Sequence, residues 1–160
     1  MNNFNLHTPT RILFGKDAIA DLRAQIPADA RVLITYGGGS VKKTGVLDQV
    51  YSALDGLDVR EFGGIEPNPS YETLMNAVKI AREENITFLL AVGGGSVLDG
   101  TKFIAAAAHY ADGVDPWHIL ETRGSDIKSA IPMGSVLTLS LIHISEPTRR
   151  ACRSRMPSSA

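Results

Sequence analysis

A single cysteine, Cys152, stands among 160 residues, so no internal disulfide can form. No apolar run is long enough to span a bilayer. The N-terminal stretch "MNNFNLHTPTRILFG" lacks the apolar core of a secretory signal. The net charge is -1, so there is neither a basic excess to attract nucleic acid nor a polybasic run for a membrane surface. These absences lead us to expect a cytoplasmic protein with small-molecule rather than nucleic-acid or membrane partners. The chain also lacks both a Walker A sequence and the GxGxxG of common dinucleotide folds. Its four histidines, His7, His109, His118 and His143, show no spacing suited to metal ligation.

What is present is apolar enough for one buried core, with 44% hydrophobic residues. "RILFG" (11–15) reads as a short strand, followed by helical spacing of Ile19, Leu22 and Ile26. "RVLITY" (31–36) and "ITFLLAV" (86–92) are apolar runs without polar alternation, the pattern of strands buried on both faces. "DVREF" (58–62) and "IPMGSVLTL" (131–139) read as further strands. Between them, Val46, Val50, Leu54 and Leu57 recur at helical spacing. Ser70 can cap a helix over "YETLMNAVKIAREEN", and "VLDGTKFIAAAAHYA" reads as another. Residues 112–130 read as a loop with one helical turn near Trp117, a packing anchor. Of the histidines, His7 reads as a surface residue, His109 as an exposed helix end and His118 as loop packing. Alternating strands and helices imply an α/β fold: a Rossmann-like parallel sheet with helices on both faces.

The same "GGGS" comes after two of the buried strands, placing both loops at the carboxyl edge of the sheet, where such folds bind ligands. In the second, Val92 ends a strand and Ser96-Val97 begin a helix. Gly93, Gly94 and Gly95 free the backbone N–H groups, and the helix N-terminus adds positive partial charge, a combination suited to pyrophosphate. The same glycines can equally make only a tight turn. Asp99 falls in the first helical turn, either complementing the dipole or touching a ligand near the pyrophosphate or nicotinamide. Lys102 can be a solvated helix lysine. In the first loop no acidic residue lies between Arg31 and Asp48 to read a ribose 2′-hydroxyl. Gly38, Gly39 and Ser40 offer donors, with Lys42 and Lys43 nearby, which favours a 2′-phosphate and hence NADP over NAD. Two surface lysines on a helix would look the same.

Together, "RILFG", "YGGGSVKKTG", "FGGIEPNP" and "AVGGGSVLDGTKFIAAAA" resemble the iron-containing alcohol dehydrogenases, a group related in fold to dehydroquinate synthase and glycerol dehydrogenase. The chain most resembles the enterobacterial NADPH-dependent aldehyde reductases of butanol dehydrogenase type, over residues 1 to about 138. The resemblance implies a dehydroquinate synthase-like N-terminal domain binding NADP(H). Gly38, Gly39 and Ser40 would hold the 2′-phosphate and Asn68 would lie near the cofactor. Gly93, Gly94, Gly95 and Ser96 would cradle the pyrophosphate, with Asp99 near the nicotinamide half and Thr138 also in contact. It further implies reduction of short-chain aldehydes to alcohols, assisted by a divalent metal, iron or zinc. An aspartate and three histidines of a helical C-terminal domain would bind that metal. None of the histidines here matches them. The resemblance also implies a homodimer. A glycerol dehydrogenase-like sibling and a stand-alone nucleotide-binding module without catalysis remain as alternatives.

After Leu139 the family pattern stops. "LSLIHISEPTR" (139–149) and "SRMPSSA" (154–160) read as the conceptual translation of two pieces of a sequencing adapter, with "RACR" as an index between them. We therefore expect residues 1–138 to form the NADP-binding domain and 139–160 to be non-native. The fragment alone would not transfer hydride, and would bind NADPH weakly.

Overall fold

The computed structural model describes residues 10–111 and 113–138. Four strands form one sheet: β1 (Arg31–Tyr36), β2 (Asp58–Phe62), β3 (Phe88–Gly93) and β4 (Met133–Leu137). All pair in parallel, in the order β2-β1-β3-β4. The two central strands carry the two apolar runs. Every residue of β3 is buried, and every residue of β1 except Arg31. The edge strands β2 and β4 are half-buried or exposed throughout.

Helices cover both faces, because right-handed crossovers that step one way along the sheet, β1 to β2, and the other way, β2 to β3 and β3 to β4, lie on opposite faces. On one face, Val32, Ile34 and Tyr36 of β1 and Phe88, Leu90 and Val92 of β3 meet Val41, Leu47, Val50 and Leu54. These come from α1 (Ser40–Lys43), α2 (Val46–Ala53) and the residue after α2. On the other face, Leu33, Leu89 and Ala91 meet Leu74, Ala77 and Val78 of α3 (Tyr71–Glu83) and Val97, Ile104 and Ala105 of α4 (Gly95–Ala108). A one-turn helix, α5 (His118–Glu121), adds Ile119 to the second core. Fully burying an aliphatic side chain in such layers contributes roughly 1.5–3 kcal/mol.

The start of α3 is specified locally: the Ser70 hydroxyl accepts from the Thr73 N–H. Its end is set by Asn85 in the left-handed region, φ 50°. Three sequence expectations need correction. Arg11 to Phe14 form no strand; Ile12 and Phe14 are 81% and 99% exposed. A strand needs a ladder partner, and among the described residues this stretch has none. The next segment, Ala18–Gln25, is a 3-10 helix with no buried residue rather than an amphipathic α-helix. The helical spacing of Val46 to Leu57 falls on α2 but outruns it, since that helix ends at Ala53; Gly45, at φ 73°, separates it from the one-turn α1. His7, His143, Cys152 and the segment 139–160 lie outside the described residues.

Candidate cofactor site

The sheet order makes the site. From β1 the chain crosses one face to reach β2; from β3 it crosses the other face to reach β4. The two exits diverge, opening a crevice between the carboxyl ends of adjacent strands. Both glycine loops leave from there, because Tyr36 pairs with Val92.

The second loop feeds straight into α4. Gly94 is extended (φ -92°, ψ -167°), and its carbonyl accepts from the Leu98 N–H, the first bond of the helix. The N–H groups of Gly95, Ser96 and Val97 precede that ladder and have no acceptor within it. Gly93 is buried because Val97 packs on it; a Cβ there would lie 2.8 Å from Val97 Cγ2. Helix α4 begins at Gly95, two residues before Val97, so Asp99 stands in the second turn and not the first. Its carboxylate is exposed and pairs with Lys102 at 3.3 Å.

The first loop is more open. A Cβ on Gly38 or Gly39 would meet nothing within 4 Å. Gly39 takes φ 93°, a left-handed turn that aims the chain into α1. Ser40 is exposed at its start. Between the loops runs the segment after β2. Gly64 N–H donates to Gly37 O and Ile65 N–H to Tyr36 O, both at 3.1 Å, laying residues 63–65 across the end of β1. The same segment carries Asn68, exposed and left-handed at φ 53°. Thr138 closes the row: its N–H donates to Gly93 O at 3.1 Å, and it is exposed. Thus Gly93 to Ser96, Gly38 to Ser40 and Thr138 share one edge. Asn68 sits on the connection between them, and Asp99 is exposed on α4.

Four features carry no local sequence signal. Glu66 accepts from the Ser70 N–H (2.8 Å) and the Thr73 hydroxyl (3.0 Å). The Ser70 backbone bond foremost, with further hydrogen bonds, lowers its carboxyl from the usual value to about 2. Beneath the loops, Thr35 and Thr101, both fully buried, share a 2.6 Å hydrogen bond, and Thr101 also donates to Val97 O at 2.7 Å. That network ties β1 to α4. Glu61, on β2, reaches Lys42 Nζ at 3.6 Å and accepts from the Tyr51 hydroxyl at 3.0 Å. A carboxylate therefore stands beside the first loop although none lies between Arg31 and Asp48. Finally, His118 is not loop packing. It lies on α5, about half exposed, with Nδ1 2.9 Å from Glu121 and Nε2 3.5 Å from Asp126. Trp117 stacks edge-to-face on Tyr71 at 5.3 Å between centroids yet stays 47% exposed.

Residues 9–141 match the model of the iron-containing alcohol dehydrogenases. The chain belongs to that family. This member is 82% identical over 139 residues to the NADPH-dependent aldehyde reductase YqhD of Escherichia coli (strain K12), a match covering 87% of this chain and 36% of that protein. It is 48% identical over 142 residues to the probable NADH-dependent butanol dehydrogenase 1 of Bacillus subtilis (strain 168), covering 87% and 36%. The substrate- and cofactor-free structure of E. coli YqhD superposes with a TM-score of 0.85, at 82% identity, over 86% of this chain and 36% of that one. The chain thus spans about a third of the length of these relatives. The iron-containing alcohol dehydrogenase fold accounts for the parallel sheet and its helices on both faces. Among the described residues no helix is long and apolar enough to cross a membrane.

Proposed function

We propose that residues 1–138 are the NADP(H)-binding part of a metal-dependent alcohol dehydrogenase or aldehyde reductase that moves hydride between NADPH and short-chain aldehydes. The observation that carries this is the pair of glycine loops side by side at the switch point of a parallel sheet. The cofactor fits the residues present. The N–H groups of Gly95, Ser96 and Val97, at the positive end of the 14-residue α4, are suited to a pyrophosphate. The open backbone of Gly38 and Gly39, with the Ser40 hydroxyl, is suited to the ribose end and its 2′-phosphate. Asn68 and Thr138 would line the same crevice, with Asp99 further along α4. When bound, the nicotinamide supplies or accepts the hydride. The chain's own contribution is to bind and orient the phosphate end.

The metal does not fit the described residues. Among the described residues no three His, Cys, Asp or Glu cluster to hold one. We assign the iron or zinc and the aldehyde pocket to the remainder of the longer family protein, working in the cytoplasm. Residues 139–160 form no part of the domain in this reading, which is supported by the family match stopping at residue 141.

Titrating the purified chain with NADPH tests the assignment, read through the one tryptophan, Trp117, and the nicotinamide fluorescence. Saturable but weak binding, with no aldehyde reduction, is the expected result. A flat titration at millimolar NADPH overturns the cofactor assignment.

A further inference from the structure

Glu61 reaches the first glycine loop from a neighbouring strand, and its charge is already engaged. Lys42 stands 3.6 Å from one carboxylate oxygen and the Tyr51 hydroxyl donates to the other at 3.0 Å. Lys42 Nζ also lies 4.8 Å from the centroid of the Tyr36 ring. Tyr36 is the last residue of β1, Gly37 to Ser40 come next, and Lys42 lies two residues after Ser40. One carboxylate, one ammonium and two phenols thus form a single cluster around the segment that carries the ribose end of the candidate site. Folds that select NAD offer a carboxylate to the ribose 2′-hydroxyl. The same carboxylate repels a 2′-phosphate.

We propose that Lys42 is a specificity-determining residue that favours a 2′-phosphate by cancelling the charge of Glu61, with Tyr51 holding the carboxylate in place. This rests on the assignment of NADP(H) to the two glycine loops. The Tyr36 side chain foremost, and after it the Glu61 carboxylate, raise the Lys42 ammonium above its ordinary value against a smaller desolvation, so it keeps its proton. Burial, then the bond to Glu61, pushes the Tyr51 phenol up to about 12, so it remains a donor. The lysine and the carboxylate are each about half exposed, so the effect is modest and weakens with salt.

The test uses the 160-residue chain with 2′,5′-ADP and 5′-ADP as probes, by calorimetry at low salt. Wild type should prefer 2′,5′-ADP. Lys42→Met should weaken 2′,5′-ADP by about tenfold and leave 5′-ADP within about twofold, the scale of one charge interaction at a partly exposed site. Adding Glu61→Gln to Lys42→Met should restore 2′,5′-ADP to within about threefold of wild type, since no uncompensated carboxylate remains. Tyr51→Phe gives an independent arm, with a smaller loss confined to 2′,5′-ADP. If the double variant stays as weak as Lys42→Met, the lysine binds phosphate itself and the proposal falls. It also falls if Lys42→Met leaves the preference intact. If wild type binds neither probe, the cofactor assignment fails first and takes this one with it.

Discussion

The pentapeptide GGGSV occurs twice, at 37–41 and 93–97, and folds differently each time. In the first copy the third glycine is left-handed and the helix starts at the serine. In the second the middle glycine is extended and the helix starts one residue earlier, at the third glycine. The residues downstream of each copy make the difference. The second copy runs into "LDGTKFIAAAA", a strong helix former that grows to 14 residues. The first runs into "KKTG", and Gly45 stops it after four. The glycines are also needed for different reasons. Gly93 needs space, being pressed by Val97; Gly39 needs its conformation and has space to spare.

That contrast can be broken in order of effect. Gly93→Ala forces a methyl onto Val97 and should cost about 2 kcal/mol of stability, the scale of overpacking, measured by urea unfolding. A loss under half that would show that Val97 yields freely. Thr101→Val removes the bond that ties α4 to β1 and leaves the buried Thr35 hydroxyl only its long 3.5 Å bond to Leu90 O, at about 1–2 kcal/mol. Gly39→Ala should cost about 1 kcal/mol through left-handed strain alone, with no change in packing. The segment between the loops adds a pH signature. The Glu66 carboxyl is lowered in the folded state, so its stabilising share is present above the ordinary glutamate range and lost as pH falls from there through about 2. Denaturation midpoints measured from about pH 5 down to about pH 2 should fall less steeply in Glu66→Gln than in wild type; parallel curves would contradict the assignment. Smallest of all, Gly38→Ala should change stability by less than about 0.5 kcal/mol, because its Cβ meets nothing. Any large loss there would mean that the first loop is tightly packed after all.

Much of the scaffold is legible in the sequence. "RVLITY" and "DVREF" fall on β1 and β2 residue for residue, because buried apolar runs and their flanking turns are local signals. Ser70 caps α3 as its position suggests. Both glycine loops lie on the carboxyl edge, since that results from alternation alone. The failures share a cause. The strand expected at 11–15 depends on a partner elsewhere, which local pattern does not report. Glu61 escapes any search for an acid that runs along the chain from the first loop, because the acid arrives across the sheet. Asp99 lands in the second turn rather than the first because the start of a helix after three glycines depends on which of them is extended. The buried Thr35–Thr101 bond joins residues far apart in sequence that look like ordinary strand and helix threonines.

The parallel sheet also has a kinetic consequence. Among the described residues no two strands are joined by a hairpin. Arg31 finds its partner at Asp58, Val32 at Phe88 and Leu89 at Met133. Each pairing requires a long loop to close before any ladder bond repays it. Val32 and Phe88 lie farther apart in sequence than the partners of either other pairing, so the crevice between the ends of β1 and β3 depends on the longest loop closure in the sheet. The ligand edge is therefore built on the contact that costs the most chain entropy to make, which favours slow folding over fast.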